Sequence, residues 1–346
     1  MSANTGPSVL VTGGGGYVGS VLVPRLLGAE YCVTVLDRFF FGRQAVSLGH
    51  PKLELVAADI RDRAAVDSVL SHGRFGAVIH LACVSNDPSS EIDPEITRAI
   101  NRVALEEVML AAKRHGVPRF IYASSSSVYG IKQEPEVHED LPLEPLTLYA
   151  RYKAEGEEVL NRLCDSSFTG VSVRSATVCG YSPRLRLDLT VNILTSQALR
   201  NGKITVFGGT QMRPNIHVED VADFYTLLLN APADRIQGRA FNVCHSNATV
   251  MGLAEMVRSQ FHPALPIEVT KTEDFRSYRV SGGRAQRELG YVPKRSLEQA
   301  VAGLKTAFDK GSIANPADIA YRNVESMKAH RDEWARASAS PAGGHP

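Results

Sequence analysis

Ser8–Gly19 reads SVLVTGGGGYVG. Five residues suited to a buried strand run into four glycines, and Tyr17–Leu27 then carries apolar side chains at helical spacing. Glycine lets a backbone turn tightly and approach a diphosphate with no Cβ in the way. The opening of the next helix adds unpaired N–H groups and a positive dipole end. Gly13, Gly16 and Gly19 hold the three spaced positions, with Tyr17 and Val18 between them. A glycine motif alone is weak, but strand, turn and helix in this order make it a dinucleotide-binding turn.

Working outward, the first half alternates. Ser8–Thr12, Cys32–Leu36, Leu53–Ala57, Ala77–Leu81, Arg119–Ala123 and Gly170–Arg174 are short apolar runs. Tyr17–Leu27, Arg61–Leu70, Pro94–His115 and Tyr149–Cys164 have helical patterns. Strands buried on both faces read as continuous apolar runs, and alternation with helices implies parallel pairing through right-handed crossovers. The expected fold is α/β, a Rossmann-type doubly wound parallel sheet with a smaller C-terminal α/β substrate-binding lobe. Regularity breaks after Gly180, where Tyr181–Asp188 (YSPRLRLD) is polar and Arg-rich. Leu189–Arg200 and Val218–Leu229 read as helices and Ile204–Phe207 as a strand, and the segments around Phe241, Val250–Gln260, Ile267–Thr270 and Ser296–Phe308 continue a mixed pattern. The expected division is a dinucleotide domain over 1–180, with some later segments returning to it, and a lobe mainly over 181–334. Residues 335–346 are small, polar and Pro/Gly-rich and read as a disordered tail.

Asp37 ends the second strand, where a carboxylate can accept from a ribose diol and repel a 2′-phosphate. That favours NAD over NADP. Arg38 beside it could soften the preference, and Asp37 could instead serve as a cap. Asp59 and Ile60 follow the third strand near the expected adenine site, with a plain turn as the competing reading of Asp59.

The bulk numbers bound the function. With 38 basic and 37 acidic residues the chain is near neutral, which gives no electrostatic case for nucleic acid or an anionic membrane surface. The five cysteines are scattered without C-x-x-C spacing, so neither a zinc site nor a disulfide framework is suggested, and a cytoplasmic setting is expected. No basic, apolar leader opens the sequence and no stretch is long enough to span a bilayer.

Tyr149-Ala150-Arg151-Tyr152-Lys153 puts Tyr149 and Lys153 on one helical face. An ammonium beside a phenol favours phenolate, which can take a proton from a sugar hydroxyl as hydride leaves. Tyr152 is a rival phenol. Ser124–Gly130 (SSSSVYG) closes the fifth strand, at the sheet edge where ligands bind.

TGGGGYVG at Thr12–Gly19, HLAC at His80–Cys83, SSSSVYG, YARYK and RPNIHVEDVAD at Arg213–Asp223 together resemble the extended short-chain dehydrogenase/reductase family. They look most like its UDP-galactose 4-epimerase branch, from about Val9 to about Leu304. The resemblance implies NAD as cofactor and Ser125, Tyr149 and Lys153 as the catalytic set. It places Leu81, Ala82 and Asn101 at the cofactor and Ser126, Thr177, Asn192 and Arg213 at a nucleotide-diphosphate sugar. Relatives usually carry Asp after the equivalent of Arg213, where this chain has Pro214, and often Asn where it has Thr177. Arg184, Arg186, Arg276 and Arg279 are further candidates for diphosphate, because guanidinium can bind two phosphate oxygens at once. His217 reads as structural. The resemblance also implies a homodimer formed by Pro94–His115 and Tyr149–Cys164.

Dehydratases of this family typically carry Asp and Glu in the two positions after the Ser/Thr, and the decarboxylases a Glu. Ser126 and Ser127 stand there. The expected reaction is 4-epimerisation through a transient C4 ketone. A 4-ketosugar reductase is the main alternative, a 4,6-dehydratase a lesser one, and a non-catalytic dinucleotide sensor the alternative of another class.

Overall fold

The computed structural model describes residues 6–272, 277–313 and 315–336. The strands are β1 (Ser8–Thr12), β2 (Cys32–Asp37), β3 (Leu53–Ala57), β4 (Ala77–His80), β5 (Arg119–Ser125), β6 (Thr169–Ser175), β7 (Thr177–Cys179), β8 (Ile204–Phe207), β9 (Met212–His217), β10 (Arg239–Val243), β11 (Ser246–Thr249) and β12 (Ile267–Thr270). Seven of them form one parallel sheet in the order β10-β6-β5-β4-β1-β2-β3. The chain reverses direction between β1 and β4, and the crevice above that switch point is where such sheets take ligands.

Both faces of the sheet are dry. Val9 and Val11 of β1 pack into one core with Leu22, Leu26, Phe224 and Leu228, while Leu10 packs into the other with Val66, Val108 and Leu160. Helices Gly19–Gly28 and Val218–Asn230 therefore cover one face, and Arg63–His72, Leu105–Arg114 and Leu148–Leu163 the other. Continuous apolar strands result because each residue of the alternating pair meets a helix layer.

The sequence segments of the first half fold as expected, with ends shifted by one or two residues. One difference is instructive. Pro94–His115 is not a uniform α-helix: it passes through a π-helical turn at Ala99–Ala104. The extra residue in that turn brings Asn101 onto the loop after β4. Its Oδ1 accepts from the Val84 N–H at 2.7 Å and its Nδ2 donates to the Val84 carbonyl at 2.8 Å. Such turns are rare and collect at functional sites.

After Gly180 the chain alternates between layers. β10 and helix Val218–Asn230 belong to the main sheet. The small sheets β11-β9-β7 and β12-β8 pack with helices Thr190–Asn201, Val250–Ser259 and Leu297–Asp309 around their own core, which contains Leu194, Val206, Leu253 and Val301. Pro214 lies in β9 where that strand pairs only with β11, since β7 begins opposite Asn215. The missing N–H costs nothing there. Among the described residues no helix is long and apolar enough to cross a membrane. Of the expected tail, residues 337–346 lie outside the described residues, whereas Ala335 ends a short helix, Arg331–Ala335.

Candidate active site

A cleft of about 530 Å³ opens at the C-terminal ends of the parallel strands. It runs from the glycine turn to the end of β5. Gly13, Gly16, Tyr17, Val18, Gly19, Asp37, Arg38, Asp59, Ile60, Leu81 and Ala82 line it, as do Ser125, Ser126, Tyr149, Lys153, Thr177, Arg184, Arg186 and Arg213. Arg276 lies outside the described residues.

The glycine turn is built by close approach. Gly13 has φ +74°, and a Cβ there would stand 2.5 Å from the Ala82 nitrogen. The turn therefore locks against the end of β4. At Gly16 an added Cβ would meet only the Gly13 carbonyl oxygen, at 3.2 Å, and would otherwise intrude on the open cleft. That is a cradle a side chain would fill, and it fits a diphosphate.

Asp37 accepts from the N–H groups of Gly15 at 2.9 Å and Phe39 at 2.7 Å. Burial raises its carboxyl, against the pull of these two donors and then of Arg184 and Arg38. Arg38 is spent elsewhere. It pairs with Asp59 at 3.2 Å and donates to the carbonyls of Glu333 and Trp334. Asp59 lines the cleft and also holds the turn that follows β3. Its carboxylate is occupied by the backbone and side chain of Arg61 and by Arg38, because two arginines converge on one buried acid.

Two expected contacts are corrected. Asn101 spends both amide atoms on Val84 and does not line the cleft, so it positions the loop after β4 rather than facing a cofactor. Asn192 is wholly buried. It accepts from the Gly180 N–H at 2.9 Å and donates to the Tyr17 hydroxyl and the Arg186 carbonyl, which makes it a brace for the loop after Gly180. His217 caps helix Val218–Asn230 through the Glu219 N–H, a structural role as expected.

Thr147 caps the helix that carries Tyr149 and Lys153, and Ser125 caps the short turn that follows β5. Tyr149 and Ser125 line the same part of the cleft, close enough for the hydroxyl to act on the phenol's acidity. Lys153 is buried and donates to the Ala123 carbonyl at 2.5 Å, with Nζ 5.5 Å from the centre of the Tyr149 ring. The phenol's acidity departs from expectation. Burial pushes Tyr149 well above the usual phenol range, Cys83 and Asp87 add to the rise, and Ser125 and Arg186 pull against it. The desolvation of a phenolate outweighs the groups that favour it.

Sequence reasoning missed several lining residues. Asp188 clasps Arg186 in a two-point pair, 3.0 Å each. Asn86, at φ +80°, caps helix Asp87–Ser90 and reaches toward Asp188. Phe39, at φ +53°, and Phe40 and Phe41 form an aromatic shelf after Asp37, where Phe40 meets Trp334 with ring centres 4.5 Å apart. Non-glycine residues at positive φ are held by their surroundings and collect at ligand sites. The run FFF beside Asp37 was the available signal for the shelf.

The NAD dependent epimerase/dehydratase family model matches residues 9–244. UDP-glucose 4-epimerase of Bacillus subtilis is 28% identical over 325 residues, covering 85% of this chain and 95% of that one. dTDP-glucose 4,6-dehydratase of Streptomyces griseus is 29% identical over 315 residues, covering 87% and 94%. The solved UDP-glucuronic acid 4-epimerase of Bacillus cereus, in complex with UDP-glucuronic acid and NAD, is 25% identical with a TM-score of 0.78, covering 88% and 99%. With its glycine turn, Ser–Tyr–Lys cleft and seven-stranded sheet, the chain belongs to the NAD dependent epimerase/dehydratase family, in the nucleotide-sugar epimerase branch of the extended short-chain dehydrogenase/reductases, and is an enzyme with NAD as its cofactor.

Proposed function

We propose that the chain is a nucleotide-sugar 4-epimerase. The observation that carries this reading is chemical. Ser125, Tyr149 and Lys153 line one cleft with the glycine turn, and the residues after Ser125 are hydroxyls, Ser126 and Ser127. The triad suffices to oxidise a hydroxyl and reduce the ketone again. Removing a carbon-bound proton and expelling water, as a dehydratase must, calls for acid and base groups that serine does not supply.

In this reading Tyr149 takes the proton from the sugar C4 hydroxyl, and Ser125 holds that oxygen. NAD, which Gly13, Gly16, Gly19 and Asp37 would hold, would supply the hydride acceptor and donor. Lys153, fixed by the Ala123 carbonyl, supplies positive charge behind the phenol. Arg213, reaching the cleft from β9, holds the nucleotide diphosphate, so that the keto-sugar can turn over between the two transfers. The names of the relatives support the reading in part: several are UDP-glucose 4-epimerases, beside dTDP-glucose 4,6-dehydratases and a UDP-glucuronic acid decarboxylase.

The test is incubation of the purified protein with UDP- and dTDP-hexoses in deuterated water, without added cofactor. The expected product is the 4-epimer carrying no solvent deuterium. A dehydrated product labelled from solvent would overturn the proposal, and so would a reaction that consumes stoichiometric reduced nicotinamide.

A further inference from the structure

We propose that Arg184 is a cofactor clamp, a cation that closes on the dinucleotide's diphosphate from the side opposite the glycine turn. The inference needs only the NAD-binding cleft and stands whichever sugar reaction the enzyme performs.

The first observation is placement. The segment after Gly180 is stitched to the opening of helix Gly19–Gly28. Tyr17 donates its hydroxyl to the Gly180 carbonyl at 2.6 Å, and Ser182 donates to the Tyr17 carbonyl at 2.7 Å. Ser20 bonds Ser182 at 2.7 Å and receives the Arg184 N–H at 3.3 Å. The backbone of Arg184 is thus tied to the helix opening whose N–H groups favour phosphate.

The second observation is an unmet donor. Arg184 is only 6% exposed and lines the cleft. Its Cζ lies 3.6 Å from the centre of the Phe41 ring, and its Nη2 donates to Asn323 Oδ1 at 2.7 Å. Its Nε is buried with no hydrogen-bond partner. Those neighbours are an aromatic face and an amide oxygen, both neutral. The nearby acids are committed: Asp188 to Arg186, and Asp37 to two backbone N–H groups. Burial and then Arg186 bring the guanidinium down to about 9, with Asp188 and Asp37 opposing. A buried cation lacking a paired anion is costly. Such a group suits a site where an arriving anion completes the pairing.

The third observation selects the anion. Asp37 repels a ribose 2′-phosphate at the adenosine end. The diphosphate is then the dinucleotide's anionic group beside the Gly16 cradle. Arg184 differs in this from Arg186, whose charge is already balanced by Asp188.

The test is calorimetric binding to the full chain freed of nucleotide, using NAD, ADP-ribose, adenosine and UDP as probes. Arg184→Gln is expected to weaken NAD and ADP-ribose by about 10- to 100-fold, the range of a charge-assisted hydrogen bond. Adenosine and UDP should bind as in the wild type, and Arg184→Lys should recover part of the loss. Equal weakening of adenosine would mean that Arg184 merely shapes the shelf, and overturns the proposal. Weakening confined to UDP would assign the cation to the sugar nucleotide, and unchanged NAD binding would leave no clamp at all; both overturn it. Should Arg184→Gln fail to fold, the wild type still decides. The side-chain Nε–H resonance that Arg184→Lys removes should shift with ADP-ribose and not with adenosine, and the reverse pattern overturns the proposal.

Discussion

At the scale of single residues, burial is the largest influence on the acidity of Tyr149 and His80. The Tyr149 phenol is pushed up by burial, so in the ligand-free protein it stays protonated at neutral pH. Tyr149 should therefore add nothing to a tyrosinate absorbance titration near the usual value of 10, and Tyr149→Phe should leave the curve below pH 10 unchanged. In the turnover assay the same variant should lose about 10²- to 10⁴-fold in rate, the range of general acid–base catalysis, while calorimetric sugar-nucleotide affinity holds. A loss under tenfold would exclude Tyr149 as the base. His80 ends β4, wholly buried beside the Thr12 hydroxyl at 2.9 Å. Burial, and then Lys153, depress it to about 3. The unfolded chain gains a proton at His80 as pH falls through 6.5, and the native state does not until about 3. Stability attributable to this site is thus intact above 6.5 and falls by about 1.4 kcal/mol per pH unit across that window. Urea midpoints measured from pH 7 to 4 should decline more steeply in the wild type than in His80→Gln.

At the scale of elements, the helix bearing Tyr149 and Lys153 is held by a buried polar network. Arg174 of β6 grips Glu157 with three N–H contacts of 2.6 to 3.1 Å, and Ser124 of β5 donates to the same carboxylate. Arg174 also donates to the Tyr129 hydroxyl, which donates to Asn242 of β10. Removing one partner of a buried pair leaves the other uncompensated, at about 3–5 kcal/mol. Glu157→Gln should lower the urea midpoint accordingly, and Glu157→Gln with Arg174→Met should recover part of the loss. Additive losses would mean that the pair does not couple the helix to the sheet. The ease of reading each element follows from its burial. The strands in the middle of the main sheet stand out in sequence because both their faces are dry, whereas β3, at its edge, stays partly exposed. β7, β9 and β11 carry Thr, Arg, Asn and Ser, and their pairing is set by tertiary contacts that no local pattern encodes. The π-helical turn was equally hidden, since Asn101 in a helical stretch gives no hint of an inserted residue.

For the whole molecule, the site is completed by chain far from its start. Tyr181–Asp188 reads in sequence only as polar and Arg-rich, yet Leu185 and Leu187 within it pack inward with Tyr17 and Leu304. Trp334 was not readable, because its partners Arg38 and Phe40 are nearly the whole chain away. A short C-terminal strap carries it back to the end of the cleft lined by Asp37, Arg38 and Phe40. Arg61 holds the strap through the carbonyls of Trp334, Ala335 and Arg336, Arg38 through those of Glu333 and Trp334, and Arg331 pairs with Asp93. Asn323 begins the strap's helical part and bonds Arg184, Ser85 and Asp188 at once, so the strap and the loop after Gly180 close the same side of the cleft. Trp334 is the sole tryptophan of the chain and lines the cleft, so its emission reports on the cofactor directly. Titration with NAD should change that emission in step with calorimetric binding. Trp334→Leu removes the aromatic contact with Phe40, worth about 0.5–1.5 kcal/mol, and should weaken NAD by about 2- to 12-fold by that energy. UDP affinity should hold, since the strap lies at the end lined by Asp37, Arg38 and Phe40. An emission indifferent to NAD, or a variant weakened equally toward UDP, would show that the strap closes some other part of the cleft.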